Sequence, residues 1–138
     1  MAGYSGTPLP QKLGIKEGHA LAFLSAPPEF QKALGALPLG VKISDTLGKN
    51  TDVVVMFVTR FADLKKGFAK AARALASNGG LWVAWPKKAS GVETDVDENK
   101  VRATALAAGL VDNKVCAIDE TWSGLRCVIR LKDRPKKG

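Results

Sequence analysis

Val53-Val54-Val55-Met56-Phe57-Val58 is the stretch on which the reading of this chain turns. It is an unbroken apolar run rich in β-branched valine, without the polar alternation of a half-solvated strand and far short of the ~20 residues that cross a bilayer. Such a run is a strand covered on both faces, hence the centre of a sheet. Directly after it, Phe61, Leu64, Phe68, Ala71, Ala72 and Leu75 recur at three- and four-residue steps. That spacing predicts an amphipathic helix over 61–76, with Lys66, Lys70 and Arg73 on its solvated side. Asn78-Gly79-Gly80 is expected to end the helix through a left-handed glycine cap, and Leu81-Trp82-Val83-Ala84-Trp85, stopped by Pro86, reads as the next strand.

Upstream, Lys16-Glu17-Gly18 turns the chain into His19-Ala20-Leu21-Ala22-Phe23-Leu24, a second buried strand. Pro27-Pro28 stops it and opens a short helix that runs to Leu34 and ends at Gly35, and Val41-Lys42-Ile43 is a brief strand. Residues 1–10 carry Gly3, Gly6, Pro8 and Pro10 and read as an irregular arm, with a short helical turn over 9–15. Downstream, Lys87-Lys88-Ala89-Ser90-Gly91 is a loop, followed by a helix over 95–108 that Thr94 is expected to cap, with Gly109 behind its last turn. Extended runs over 114–119 and 125–132, joined by Glu120-Thr121-Trp122-Ser123-Gly124, form a hairpin. Strands alternating with helices imply right-handed parallel crossovers. The expected architecture is α/β: a three-layer open sheet, mostly parallel, with one C-terminal antiparallel hairpin strand. A single domain over 1–132, with an N-terminal arm over 1–12, is followed by a basic flexible tail over 133–138.

The chain of 138 residues has the size of one core, and 46% hydrophobic with 25% charged residues is ordinary globular usage. Two cysteines outside any CxxC pair, Cys116 and Cys127, suit a reducing compartment, and with no signal-peptide pattern the expected location is the cytoplasm, off the membrane. They read as small core residues on paired strands, with room to face each other. The net charge of +8 attracts phosphates, anionic small molecules or acidic partners. Much of that excess lies in Arg126, Arg130, Lys132, Arg134, Lys136 and Lys137, which as a solubilising tail without interleaved aromatics is a weak nucleic-acid signal. A bare sheet edge leaves room for a homodimer.

In open parallel sheets, ligands settle outside the carboxyl ends of the strands. Here those ends carry Ser25-Ala26, Ser44-Asp45, Thr59-Arg60, Trp85-Pro86-Lys87-Lys88 and the hairpin loop. Arg126, Lys87, Lys88 and Arg60 are therefore the candidate cationic ligand-binding residues, Trp85 and Trp122 the aromatic walls, and Thr121, Ser123 and Ser90 the hydroxyl donors. Arg126 ranks first because the hairpin reading starts its strand beside the loop. Each has a structural alternative, since a strand-end tryptophan is often core and a lysine pair after proline is often solvated.

His19, the only histidine, falls at the opposite edge of the sheet, so neither a histidine-rich metal site nor a catalytic dyad is expected. Glu93, Asp95, Asp97 and Glu98 cluster where helix-start carboxylates complement the macrodipole, which accounts for them without a metal. The GxxxxGK[ST], GxSxG and HExxH patterns are absent.

Leu13-Gly14-Ile15-Lys16-Glu17-Gly18 before the first strand, the run from Asp52 to Val58, Ala74-Leu75-Ala76-Ser77-Asn78-Gly79-Gly80-Leu81 and the closing hairpin together resemble a shortened class I (Rossmann-like) methyltransferase domain. That resemblance implies S-adenosylmethionine as cofactor, a glycine-rich turn after the first strand and an acidic residue after the second. At the turn this chain has Ser25-Ala26-Pro27-Pro28, and two prolines remove two backbone donors; Asp45 matches the acid by position. A closer likeness is to a family of small bacterial proteins known only as a domain of unknown function. It is carried by Ser5-Gly6-Thr7-Pro8-Leu9 with Lys12-Leu13-Gly14, by Trp85-Pro86-Lys87 and by Thr121-Trp122-Ser123-Gly124-Leu125-Arg126. The leading expectation is a non-catalytic or regulatory binding module for an anionic small molecule or a protein partner, on a degenerate methyltransferase-like fold with no cofactor and no metal. The alternatives are an S-adenosylmethionine-dependent methyltransferase with an altered loop, and weak nucleic-acid association through the tail.

Overall fold

The computed structural model describes residues 7–134. Residues 1–6 of the expected arm and 135–138 of the expected tail lie outside the described residues. The apolar run becomes β3 (Thr51–Phe57), with parallel β1 (Ala20–Leu24) on one side and β4 (Leu75–Pro86) on the other. β2 (Lys42–Ser44) pairs parallel with β1, and the hairpin of β5 (Leu110–Ala117) and β6 (Trp122–Ile129) closes the sheet in the order β2-β1-β3-β4-β6-β5. Only β6 runs against the rest, as the alternation of strands and helices predicts.

Because a strand sends successive side chains to opposite faces, β3 feeds two cores. Val54, Met56 and Val58 join Leu64, Phe68 and Ala71 of α3 (Phe61–Ala74) and Val101 and Ala105 of α4 (Glu98–Ala107). Val53, Val55 and Phe57 join Leu13, which follows α1 (Leu9–Lys12), and Phe30 and Leu34 of α2 (Glu29–Leu34). The fully buried Trp82 ties the second core to the arm, its indole N–H donating to the Leu13 carbonyl at 3.1 Å. Asp52 fixes the start of β1, its Oδ2 accepting the Ala20 N–H at 2.8 Å.

Several boundaries depart from expectation. α3 passes directly into β4 at Leu75, and Gly79 and Gly80 are strand residues, not left-handed caps. A Cβ on Gly79 would lie 2.9 Å from the carbonyl oxygens of Thr51 and Asp52, so close packing of strands β3 and β4 demands the glycine. The cap of α4 is Asp97, whose Oδ1 accepts the Lys100 N–H at 2.9 Å. Thr94 instead donates its hydroxyl to the Thr59 carbonyl at 2.6 Å. Both hairpin strands begin earlier than predicted, β6 at Trp122. Cys116 and Cys127 lie on opposite faces of the sheet, one against each core, and do not face each other. The left-handed glycine behind α4 is as expected, Gly109 having φ 87°. No described helix is long and apolar enough to cross a membrane.

Candidate ligand crevice at the carboxyl ends

The crossover leaving β1 through α2 covers one face of the sheet and leads to β2, while the crossover leaving β3 through α3 covers the other face and leads to β4. The two connections part between the carboxyl ends of β1 and β3, which opens a crevice there. A cleft of about 560 Å³ occupies this point, with Ser25, Met56, Phe57, Thr59, Lys70 and Trp122 among its walls. Ser25 also borders a cleft of about 680 Å³ that includes Ala26, Ser44 and Asp45, and Thr59 borders one of about 550 Å³ that includes Arg60, Thr94 and Asp95. On the α3 side, Leu24, Leu47 and Lys70 continue the crevice into a groove of about 590 Å³ that adds Lys49 and Arg73.

Two features mark the central crevice. Ser25 holds φ 57°, a left-handed conformation that costs a non-glycine residue energy and occurs often at ligand sites. Trp122 is only 8% exposed, and its indole Nε1 is buried without an acceptor among the described residues. Buried donors are nearly always paired, because leaving one unmade costs about 1–3 kcal/mol. The ring itself is firmly held: Trp122 meets Phe57 edge-on at 5.1 Å, Phe57 meets Phe30 at 4.9 Å and Phe30 meets Phe23 at 5.0 Å.

The hairpin loop is equally fixed. Asp119 Oδ1 accepts the N–H groups of Thr121 and Trp122, each at 2.8 Å. Lys87 donates its backbone N–H to the Thr121 carbonyl at 2.8 Å and its ammonium to the Asp119 carbonyl at 2.7 Å. Lys87 is therefore at the rim beside Thr121 and Trp122, with its charge engaged in holding the loop. Lys88 opens a 3₁₀ turn, exposed, in which Ser90 donates its hydroxyl to the Lys87 carbonyl. Trp85 belongs to the core beneath α3 and α4, paired in register with the half-buried Ser123. Arg60, also exposed, precedes α3 and lines the cleft beside Thr59. His19 sits at the far, amino edge, where its Nδ1 accepts the Lys16 N–H at 3.1 Å.

Arg126 does not join these residues. It is the fifth residue of β6, opposite Trp82, and its guanidinium lies over Gly80, away from the crevice. The expected convergence of Lys87, Trp122 and Arg126 on one rim therefore holds for the first two only. The shift of the β6 start from Leu125 to Trp122 is the cause. Ser25 and Thr59, which the sequence placed at the rim without ranking them, each border two clefts. The sole signal for Ser25 was its place between a buried strand and two prolines.

No described group of histidine, cysteine or acidic side chains is arranged to hold a metal ion. Burial pushes the Cys127 thiol up to about 12. Burial also raises Cys116, against the opposing pull of Lys12 and Lys114.

Among solved structures, the chain is similar to a protein of Sulfolobus solfataricus assigned to the type 11 methyltransferases, at 14% identity and TM-score 0.63, covering 93% of both chains. It is similar to an S-adenosylmethionine-dependent methyltransferase of Aquifex aeolicus at 18% identity and TM-score 0.57, covering 87% of both. It also resembles the magnesium protoporphyrin IX methyltransferase of Synechocystis solved with bound SAH, at 11% identity and TM-score 0.54, covering 83% of this chain and 75% of that one. At such identities the likeness is one of fold, and it makes the architecture Rossmann-like and methyltransferase-like. No curated protein matches the sequence. Residues 39–131, most of the chain, match the family described as "Protein of unknown function (DUF3052)", and the chain belongs to that family.

Proposed function

We propose that the chain is a binding module for a small organic anion, seated in the crevice between the carboxyl ends of β1 and β3. The observation that carries this reading is the buried indole N–H of Trp122, which has no acceptor among the described residues and belongs to a side chain lining the crevice. A ligand oxygen or ring nitrogen would pair it, and the apolar walls of Met56 and Phe57 suit a flat organic body. Lys70 at the crevice and Lys49 and Arg73 in the adjoining groove supply positive charge, opposed among the crevice residues by Asp63. A panel of phosphate- and carboxylate-bearing metabolites, followed by thermal unfolding, tests the reading. A ligand at ~100 times its Kd adds about 2.7 kcal/mol and raises Tm by several degrees. Trp122→Phe, which keeps the edge-on ring contact but removes the donor, is expected to abolish that rise while unfolding as cooperatively as the parent. A panel without any stabilisation, or a response unchanged in Trp122→Phe, contradicts it.

A second reading, S-adenosylmethionine-dependent methyl transfer, is favoured by one observation: Asp45 borders the cleft that also includes Ser25 and Ala26. The turn after β1 does not fit the cofactor as that fold usually holds it. Pro27 and Pro28 have no N–H to offer, and no glycine in residues 25–28 lets the backbone approach a ligand closely. Calorimetry with S-adenosylmethionine and S-adenosylhomocysteine separates the readings, since heat that disappears in Asp45→Asn supports a bound methyl-transfer cofactor and silence with both compounds leaves the crevice to a small organic anion.

A further inference from the structure

Among the described residues, Arg126 is a half-buried cation without a counter-charge. Its register neighbours are Trp82 on β4 and Lys114 on β5, and directly opposed residues of antiparallel strands rise from the same face of a sheet. This is the face that packs on α1 and α2, away from α3. Gly80 makes the space: a Cβ there would collide with Nε, Cζ and Nη2 of the guanidinium. The ion pairs among the described residues are those of Arg102 with Glu98 and Asp112, so no described carboxylate balances Arg126. Burial, and then the like charge of Arg134, pull the Arg126 guanidinium below its ordinary value. Arg134 is held by its own Nε donating to the Ile129 carbonyl at 3.0 Å, and Lys114 by its ammonium donating to the Lys12 carbonyl at 3.1 Å. A partly desolvated guanidinium beside the like charge of Arg134, with Lys114 rising from the same face, is unfavourable by itself, and an oxyanion of more than one negative charge relieves the repulsion.

We infer that Arg126, flanked by Lys114 and Arg134 over the space left by Gly80, forms an oxyanion site that takes a phosphate group and is separate from the crevice at Trp122. A planar, five-donor guanidinium suits two phosphate oxygens at once, whereas a lysine offers only a point charge. The phosphate belongs either to a small phosphorylated compound or to a single-stranded nucleic-acid backbone, and the two sources are told apart by probe.

The test is calorimetric titration of the full chain at low salt with pyrophosphate and with a short oligothymidine. Binding of pyrophosphate that weakens at least about tenfold in Arg126→Gln, is partly kept in Arg126→Lys and is unchanged in Lys66→Gln on the opposite face supports the site. If oligothymidine also binds, depends on Arg126 and is displaced by pyrophosphate, the phosphate is that of a backbone; if pyrophosphate alone binds, it is that of a small compound. Lys114→Gln gives a second reading should Arg126→Gln melt early, and it is expected to weaken binding by a smaller factor. Trp122→Phe is expected to leave this binding intact, which separates it from the crevice. Absence of binding by both probes, or equal weakening in Arg126→Gln and Lys66→Gln, overturns the inference.

Discussion

Gly79 and Gly80 show how a side chain's absence is used twice within two residues. At Gly79 the reason is backbone proximity, with the Thr51 and Asp52 carbonyls 2.9 Å from where a Cβ would sit. Gly79→Ala is therefore expected to destabilise by about 1–3 kcal/mol, seen as a lower urea midpoint, since neither strand yields without moving its neighbours. Two adjacent glycines after a helical pattern read most simply as a cap, and only the paired strands reveal that the requirement is room. Cys127 carries a separate prediction. Its thiol is pushed up to about 12 from an ordinary 9.0, chiefly by burial, so the folded chain holds a proton that the unfolded chain releases. Stability from this group is present in full below pH 9 and falls as pH rises toward 12, by about 1.4 kcal/mol per unit. Urea midpoints of the parent should drop between pH 9 and 11 more steeply than those of Cys127→Ala. In the same range, thiol reagents under native conditions should label the half-buried Cys116 first.

The start of α4 and the hairpin were the elements least legible beforehand, and for the same reason. Polar side chains decide both boundaries by bonding to backbone several residues away, and several neighbours offer the same chemistry. Thr94 and Asp97 are both good caps by type, yet Thr94 is taken by the Thr59 carbonyl and Asp97 caps the helix. Asp97→Ala is expected to cost about 1 kcal/mol and Thr94→Val to act at the Thr59 cleft, which denaturant titration and ligand titration separate. In the hairpin, Asp119 closes the turn with two accepted bonds, so β6 begins at Trp122 where apolar patterning alone suggested Leu125. β1, β3, α3 and the later half of β4 were readable because burial on both faces, or on one helical stripe, leaves a pattern that no neighbouring residue can imitate.

Across the chain, strand direction was legible and strand register was not. Parallel crossovers placed Ser25, Asp45, Thr59, Arg60, Lys87, Thr121 and Trp122 toward one rim and His19 at the other, as the structure has them. Arg126 was misplaced because a shift of three residues in where an antiparallel strand begins moves its side chains about 10 Å along the sheet. Under the proposed function, the Trp122 indole donor pairs with a ligand at the point where the β1 and β3 crossovers diverge. The most direct measurement is the ¹⁵N–¹H spectrum of the tryptophan side chains during titration with stabilising anions from the metabolite panel. The Trp122 indole resonance should shift with ligand while that of Trp82, already bonded to the Leu13 carbonyl, stays in place. A Trp122 resonance that does not move at saturating ligand, or one that moves no more than Trp82, would contradict the account.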